Sequence, residues 1–346
     1  MDAICKPEAA AGMHLTKVPF PKFGDDDVLV KVKVAGICGT DVHIYDWNNW
    51  AAGRIKPPLV PGHEFCGNVA AVGKNVTTVK EGDFVSAEMH VACGKCYQCR
   101  IGEAHICQNV TIIGIDTNGA FAEYVVIPES NIWKIDPSIP PEYAAILDPL
   151  GNAVYTVLSG EIAGKTIAIV GCGPIGLFAI AVARACGAST IFALEVNAHR
   201  RTLAAAMKAD VVLDPSKDDV RAEVQKHTNG IGVDVTAEMS GNADGIRLGF
   251  DILRMGGRVS LLGTPKGPIE LNLAKSIIFK GATVYGIHGR LMYKTWFQMN
   301  ELLKHGRLDL GPAITDKLPL KDIATGMDRM KSGAASKVLL YPNGMK

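Results

Sequence analysis

An excess of charge of either sign is missing: 36 lysines and arginines face 35 aspartates and glutamates, for a formal charge of +1. Nothing in that balance suggests a nucleic acid or an anionic membrane as partner. Internal repeats and low-complexity tracts are also missing, which argues against a solenoid or a linker-dominated chain. Met1-Asp2-Ala3-Ile4-Cys5-Lys6-Pro7 has neither the basic nor the apolar segment of a secretion signal, so a cytoplasmic location is expected. The uncharged run from Ile167 to Ala183 is interrupted by Gly171, Gly173, Pro174 and Gly176. It is too short and too broken for a membrane span. Nine cysteines are an odd number, and four of them cluster, which speaks against a disulfide framework and for metal-bound thiolates in a reducing compartment. What remains is a chain of 346 residues, 48% hydrophobic and 21% charged. Those totals suit about two soluble globular domains.

The stretch Cys38-Gly39-Thr40-Asp41-Val42-His43 supplies a thiolate, a hydroxyl and an imidazole. It follows a strand pattern, Val28 to Val34, with valines at alternate positions and lysines between them near its end. Asp41 to Asp46 suits a short helix whose N-terminus favours a thiolate at Cys38. Gly62-His63-Glu64 then offers a nitrogen and a carboxylate amid turning glycines. Sulfur, nitrogen and oxygen donors suit a zinc ion with one open position. Neighbours on a regular strand face opposite ways. His63 and Glu64 therefore share a metal only if the backbone bends; otherwise Glu64 stands behind it or alternates as a ligand. Asp148 is a further candidate beside the ion. Cys93, Cys96, Cys99 and Cys107, at intervals of three, three and eight residues, match a closed four-thiolate zinc site that braces a loop. An iron–sulfur cluster is the alternative there. His90, just before that loop, reads as a structural histidine and is kept as a weak substrate candidate. Short strands are expected at Gly82 to Ala87 and Phe121 to Ile127, making this half mostly β.

From about residue 155 strands and helices alternate. Thr166 to Val170 leads into Gly171-Cys172-Gly173-Pro174-Ile175-Gly176, then an apolar helix, then the strand Thr190 to Leu194 and Glu195. Glycines after a strand, a helix start and an acidic residue about twenty positions on form the dinucleotide fingerprint. The glycines admit the pyrophosphate, and the helix N-terminus favours its charge. Glu195 would accept from the adenosine ribose and repel a 2′-phosphate, which favours NAD over NADP. Arg200 and Arg201 lie close enough to leave NADP open. Further strands are expected at Val211 to Leu213, Val233 to Glu238, Arg258 to Leu262 and Thr283 to Ile287, six in all for a doubly wound sheet. Leu262, Gly263, Thr264, Ile287 and His288 then sit at strand ends, where ligands of such sheets bind. Lys294 to His305 reads as a helix, and Lys337 to Tyr341 as a strand that can return to the first domain.

Cys38-x-Thr40-x-x-His43, Gly62-His63-Glu64, the four-cysteine loop and the nucleotide fingerprint together resemble the zinc-containing medium-chain dehydrogenase family over nearly the whole chain. The resemblance implies an α/β protein: a GroES-like, mostly β catalytic domain at 1–150 plus 291–346, with a Rossmann domain inserted at 151–290. It implies Cys38, His63 and Glu64 as catalytic-zinc ligands, Asp148 close by, and Thr40 and His43 as a proton relay. It also implies two zinc ions per subunit, NAD contacts at Gly171, Gly173, Ile175, Gly176, Glu195, Arg200, Leu262 to Thr264, Ile287 and His288, and commonly a homotetramer. A narrower likeness is carried by His43-Ile44-Tyr45-Asp46-Trp47-Asn48-Asn49-Trp50, by Pro149-Leu150-Gly151-Asn152-Ala153, and by Gly286-Ile287-His288-Gly289-Arg290 with Thr295-Trp296. It implies L-threonine, oxidised at its 3-hydroxyl, as the small-molecule substrate. A polyol or another secondary alcohol is the nearest rival. A non-catalytic, zinc-stabilised nucleotide sensor is a rival of a different kind.

Overall fold

Alternation of valine and lysine governs the first unit. In the strand Asp27–Gly36, Val30, Val32 and Val34 are buried while Lys31 and Lys33 are exposed. The computed structural model describes residues 1–345. It divides into two units, Met1–Asp148 with Ile314–Lys346, and Pro149–Ala313.

In the first unit, Asp27–Gly36 lies inside a seven-stranded sheet. It pairs antiparallel with Phe65–Val72, Tyr124–Pro128 and the tail strand Lys337–Tyr341. Val30, Val32, Phe65, Val85, Phe121 and Ile127 share the core beneath it. The strand expected from Phe121 begins at Tyr124 instead. The N–H groups of Ala120 and Phe121 donate to Gly62 and Pro61 carbonyls, so these residues brace the 60s loop rather than extend the sheet. The tail strand does return to the first unit as a covalently remote neighbour, with Leu339 opposite Gly36.

The return comes later than residue 291. Residues 291–313 group with the second unit, because the helix Lys294–Lys304 buries Trp296, Met299 and Leu303. The turn Gly311–Ala313 also packs on the helices Pro174–Ala185 and Ala198–Ala206. A further helix, Ile323–Lys331, lies in the tail and was not expected.

The second unit is a six-stranded parallel sheet. In space its strands run Val211–Leu213, Thr190–Leu194, Thr166–Val170, Val233–Glu238, Leu253–Leu261, Thr283–Gly286. In sequence order that is three-two-one-four-five-six, the doubly wound arrangement, with its crevice between the first and fourth strands. The helix Pro174–Ala185 is buried from Gly176 to Ala183, as expected of an apolar helix laid on such a sheet. The fifth strand starts at Leu253, earlier than the expected Arg258, and its pairing with the fourth shifts register between Val233 and Val235. Among the described residues no helix is long and apolar enough to cross a membrane.

Candidate functional site

The strand Asp27–Gly36 delivers the chain to Cys38, which caps the helix Gly39–Asp46. The Cys38 backbone N–H donates to Asp41 Oδ2 at 2.9 Å, fixing the turn. Gly62 has φ of 97°, and residues 61–64 precede the regular strand Phe65–Val72. The backbone is therefore bent where pleating would have separated His63 from Glu64. Donor atoms of Cys38, His63 and Glu64 lie within 4.8 Å of one another. His63 and Glu64 are buried and Cys38 is half-buried.

Sequence reasoning missed three contributors to this cluster. Asp41 is fully buried, with Oδ1 3.8 Å from His63 Nδ1. Both atoms lack a hydrogen-bond partner, so the imidazole and carboxylate face each other loosely. Burial pushes the Asp41 carboxyl up to about 6, against the pull of His63. Burial alone would lower His63. The charge of Cys38, then that of Asp41, outweighs it and carries the imidazole well above its ordinary range, and Asp148 adds to this. A metal seated here displaces that proton, since a ligating histidine must be neutral. The second contributor is Lys337. Its ammonium donates to both Glu64 carboxylate oxygens, at 2.9 and 2.8 Å, and to the Ile37 carbonyl at 2.9 Å. The third is Gly36, where a Cβ would collide with Glu64 Oε2. The place of Asp41, three residues after Cys38, was readable in hindsight. Lys337 was not, because only the sheet register brings it to residue 64.

Thr40 Oγ1 is 3.8 Å from Cys38 Sγ. His43, on the same helix, is exposed, and its Nδ1 lies 2.8 Å from Asn48 Nδ2. Asp148 falls in the first turn of the helix Leu147–Val157. It is outside the three-donor group but near enough to act on His63 electrostatically. His90 is tied to Glu88: its ring Nδ1 and its backbone N both lie 2.9 Å from Glu88 Oε1.

The four remaining candidate ligands form a second cluster. Cys93, Cys96, Cys99 and Cys107 present sulfur atoms within 4.8 Å of one another. Cys96 Sγ is 3.4 Å from Cys99 Sγ and 3.8 Å from Cys107 Sγ. Backbone N–H groups of Lys95 and Cys96 bring Cys93 down to about 6, whereas burial and neighbouring sulfurs push Cys99 up to about 12. A divalent ion bound here would resolve that competition by holding all four as thiolates. Among the described residues no disulfide forms.

In the second unit, Gly171 has φ of 88°, and a Cβ on Gly176 would strike the Gly171 carbonyl. Gly173 caps the helix that starts at Pro174 and carries Ile175. The bare helix N-terminus and side-chain-free loop suit a pyrophosphate. Glu195, buried at the end of its strand, accepts the N–H of Cys172 and of Asn197, both at 2.8 Å. This fixes its carboxylate beside the glycine loop. Arg201 is committed elsewhere, to the carbonyls of Glu195 and Val196 and to Asp214 at 2.9 Å. Arg200 keeps a buried Nε without a partner. Leu262, Gly263 and Thr264 follow the fifth strand, and Ile287 and His288 follow the sixth. A cleft of about 1040 Å³ elsewhere in the first unit, lined by Phe20, Pro58 and Tyr124, contains none of these residues.

The family model for the alcohol dehydrogenase GroES-like domain matches residues 24–137, and that for the zinc-binding dehydrogenases matches residues 174–305. Over 343 residues, 99% of each chain, the sequence is 49% identical to an L-threonine 3-dehydrogenase of Caldanaerobacter subterraneus. Its structure resembles the alcohol dehydrogenase of Thermus sp. ATN1, with a TM-score of 0.89, 32% identity and 99% of both chains covered. It also resembles a zinc-binding dehydrogenase from Sinorhizobium meliloti bound to NADP, with a TM-score of 0.91, 30% identity and 99% coverage of both.

Proposed function

The chain belongs to the zinc-binding dehydrogenases with an alcohol dehydrogenase GroES-like domain, and from that premise we propose that it oxidises the 3-hydroxyl of L-threonine with NAD, giving 2-amino-3-oxobutanoate and NADH. The observation that carries this reading is the 49% identity, over 99% of both chains, to a relative of that name. Conversion of an alcohol to a ketone suits the donor set, since sulfur, imidazole and carboxylate together hold a zinc ion without filling its sphere. Cys38, His63 and Glu64 hold that ion, with Asp148 beside it. Cys93, Cys96, Cys99 and Cys107 hold a second, structural one. When bound, the first zinc supplies Lewis-acid polarisation of an alcohol oxygen, and NAD supplies the hydride acceptor.

The chain's own residues do the rest. Thr40 receives the proton of the substrate hydroxyl, and exposed His43 passes it to solvent. Asp41 and Lys337 orient His63 and Glu64 from behind. Gly171, Gly173, Ile175 and Gly176 receive the pyrophosphate, and Arg200, Leu262 to Thr264, Ile287 and His288 line the remainder of the dinucleotide. Glu195 takes the ribose hydroxyls. A 2′-phosphate there would meet a carboxylate, and Arg201 is too occupied to offset it, which supports NAD over NADP. Clustered reduced thiols fit the cytoplasm, and the edge strand Thr283–Gly286, exposed throughout and carrying Val284 and Tyr285, fits a homotetramer.

NAD reduction measured side by side with L-threonine, D-threonine, sorbitol and simple secondary alcohols tests the substrate, and NADP in place of NAD tests the cofactor. L-threonine with NAD is expected to give the highest kcat/KM. Faster turnover of sorbitol would put the polyol reading in its place.

A further inference from the structure

The crevice of a three-two-one-four-five-six sheet opens between its first and fourth strands. The last residue of the fourth strand is Glu238, which stands in register between Val170 on the first strand and Leu261 on the fifth. It is fully buried. Burial pushes its carboxyl up, and hydrogen bonds from Ser240 and Gly241 oppose that shift. A buried charge without a counter-ion is disfavoured unless hydrogen bonds replace its water. Here the donors come from one loop. Glu238 Oε1 accepts the backbone N–H of Ser240 at 2.9 Å and of Gly241 at 3.1 Å, together with the Ser240 hydroxyl. Oε2 lies 3.2 Å from the Gly241 nitrogen.

That loop is wedged between the two stretches read as cofactor contacts. Towards the first strand, a Cβ on Gly171 would come within 2.8 Å of Ser240 Cβ, and Met239 N–H donates to the Val170 carbonyl at 2.8 Å. Towards the fifth strand, a Cβ on Gly263 would come within 2.6 Å of Glu238 Oε2, and one on Gly241 would meet the Thr264 backbone. The Glu238 carbonyl also accepts the N–H groups of Leu262 and Gly263, at 2.9 and 3.1 Å. The turn that this carboxylate holds thus lies against the loops that follow both the first and the fifth strands.

We infer that Glu238 is a positioning residue for the dinucleotide: by gathering the 239–242 loop it sets the spacing between the Gly171–Gly176 loop and the 262–264 stretch. The inference rests on the dehydrogenase reading for its ligand, but not on the identity of the alcohol.

The test uses the full zinc-loaded protein, NADH as probe and nicotinamide fluorescence as readout. Glu238→Gln keeps the shape and one acceptor oxygen but replaces the other with a donor facing Gly241. It is expected to raise the NADH Kd about tenfold, near the loss of one hydrogen bond to a charged acceptor. The KM for NAD should rise in parallel, while kcat at saturating NAD stays within about twofold. Ser240→Ala, which removes one donor only, should weaken NADH binding about threefold. A folded Glu238→Gln with wild-type NADH affinity would overturn the inference, as would a fall in kcat with KM unmoved. If Glu238→Gln does not fold, wild-type NADH binding by Ser240→Ala overturns it, and a weakened Kd with an unchanged melting point supports it. Wild-type protein that binds NADH but ignores L-threonine would refute the substrate reading alone.

Discussion

Lys337 is a buried lysine, which is rare unless paired, and its partner here is the equally buried Glu64. Burial pushes its ammonium towards neutrality, but the charges of Glu64, then Cys38, more than reverse this, and the net shift is upward from 10.5. With the folded value raised, the stabilisation is present throughout neutral pH and is lost only as the pH climbs through that raised value. Removing one member of a buried pair leaves the other uncompensated, at a cost of about 3–5 kcal/mol. Lys337→Met is therefore expected to destabilise metal-free protein by roughly that amount. A divalent ion next to Glu64 would replace the missing positive charge, so the loss should shrink when zinc is present. Denaturant unfolding of wild type and variant, with and without zinc, checks this. Equal losses in both conditions would place Glu64 away from the metal.

At the scale of elements, the four-cysteine lobe is the clearest case of chemistry replacing a core. Between Gly94 and Asn109 the only buried residue is Cys107. Ordering each residue costs about 1–2 kcal/mol of conformational entropy, and little apolar burial is available here to offset it, so an ion held by the four thiolates would have to supply the folding energy. Cys99→Ser should open the lobe to trypsin at Lys95 and Arg100, while the wild-type zinc form resists. Fragment masses from limited proteolysis give the answer, and an uncut variant would mean that the lobe orders without its ion. The same lobe was legible in the sequence because all four ligands are local and their spacing is their geometry. The strands Thr166–Val170, Thr190–Leu194 and Val233–Glu238 were legible to the residue, since buried parallel strands read as short apolar runs with sharp ends. The helix Leu147–Val157 was hidden by Pro149 and Gly151, although proline is tolerated in a first helical turn. The Lys337 contact was hidden for a different reason, because strand register across 273 residues leaves no local trace.

For the whole molecule, the sixth strand of the parallel sheet poses the remaining question. Thr283–Gly286 is exposed at all four positions and pairs on one side only. Val284 and Tyr285 are 37% and 40% exposed, and nearby in sequence Ile278 and Phe279 are 68% and 73% exposed. An unprotected apolar edge invites aggregation unless another chain covers it. A second copy related by a twofold axis can present the same edge in return, and a tetramer of dihedral symmetry then needs a second, different contact. Breaking one contact should therefore leave dimers rather than monomers. Wild type is expected to sediment as about four chains of 36.8 kDa. Val284→Lys combined with Phe279→Lys places charges on the edge and should halve that mass, with NADH still bound by an intact second unit. Sedimentation velocity with fluorescence detection of NADH reads both properties together. A wild-type monomer, or a doubly charged variant that still assembles fully, would mean that this edge is not where the copies meet.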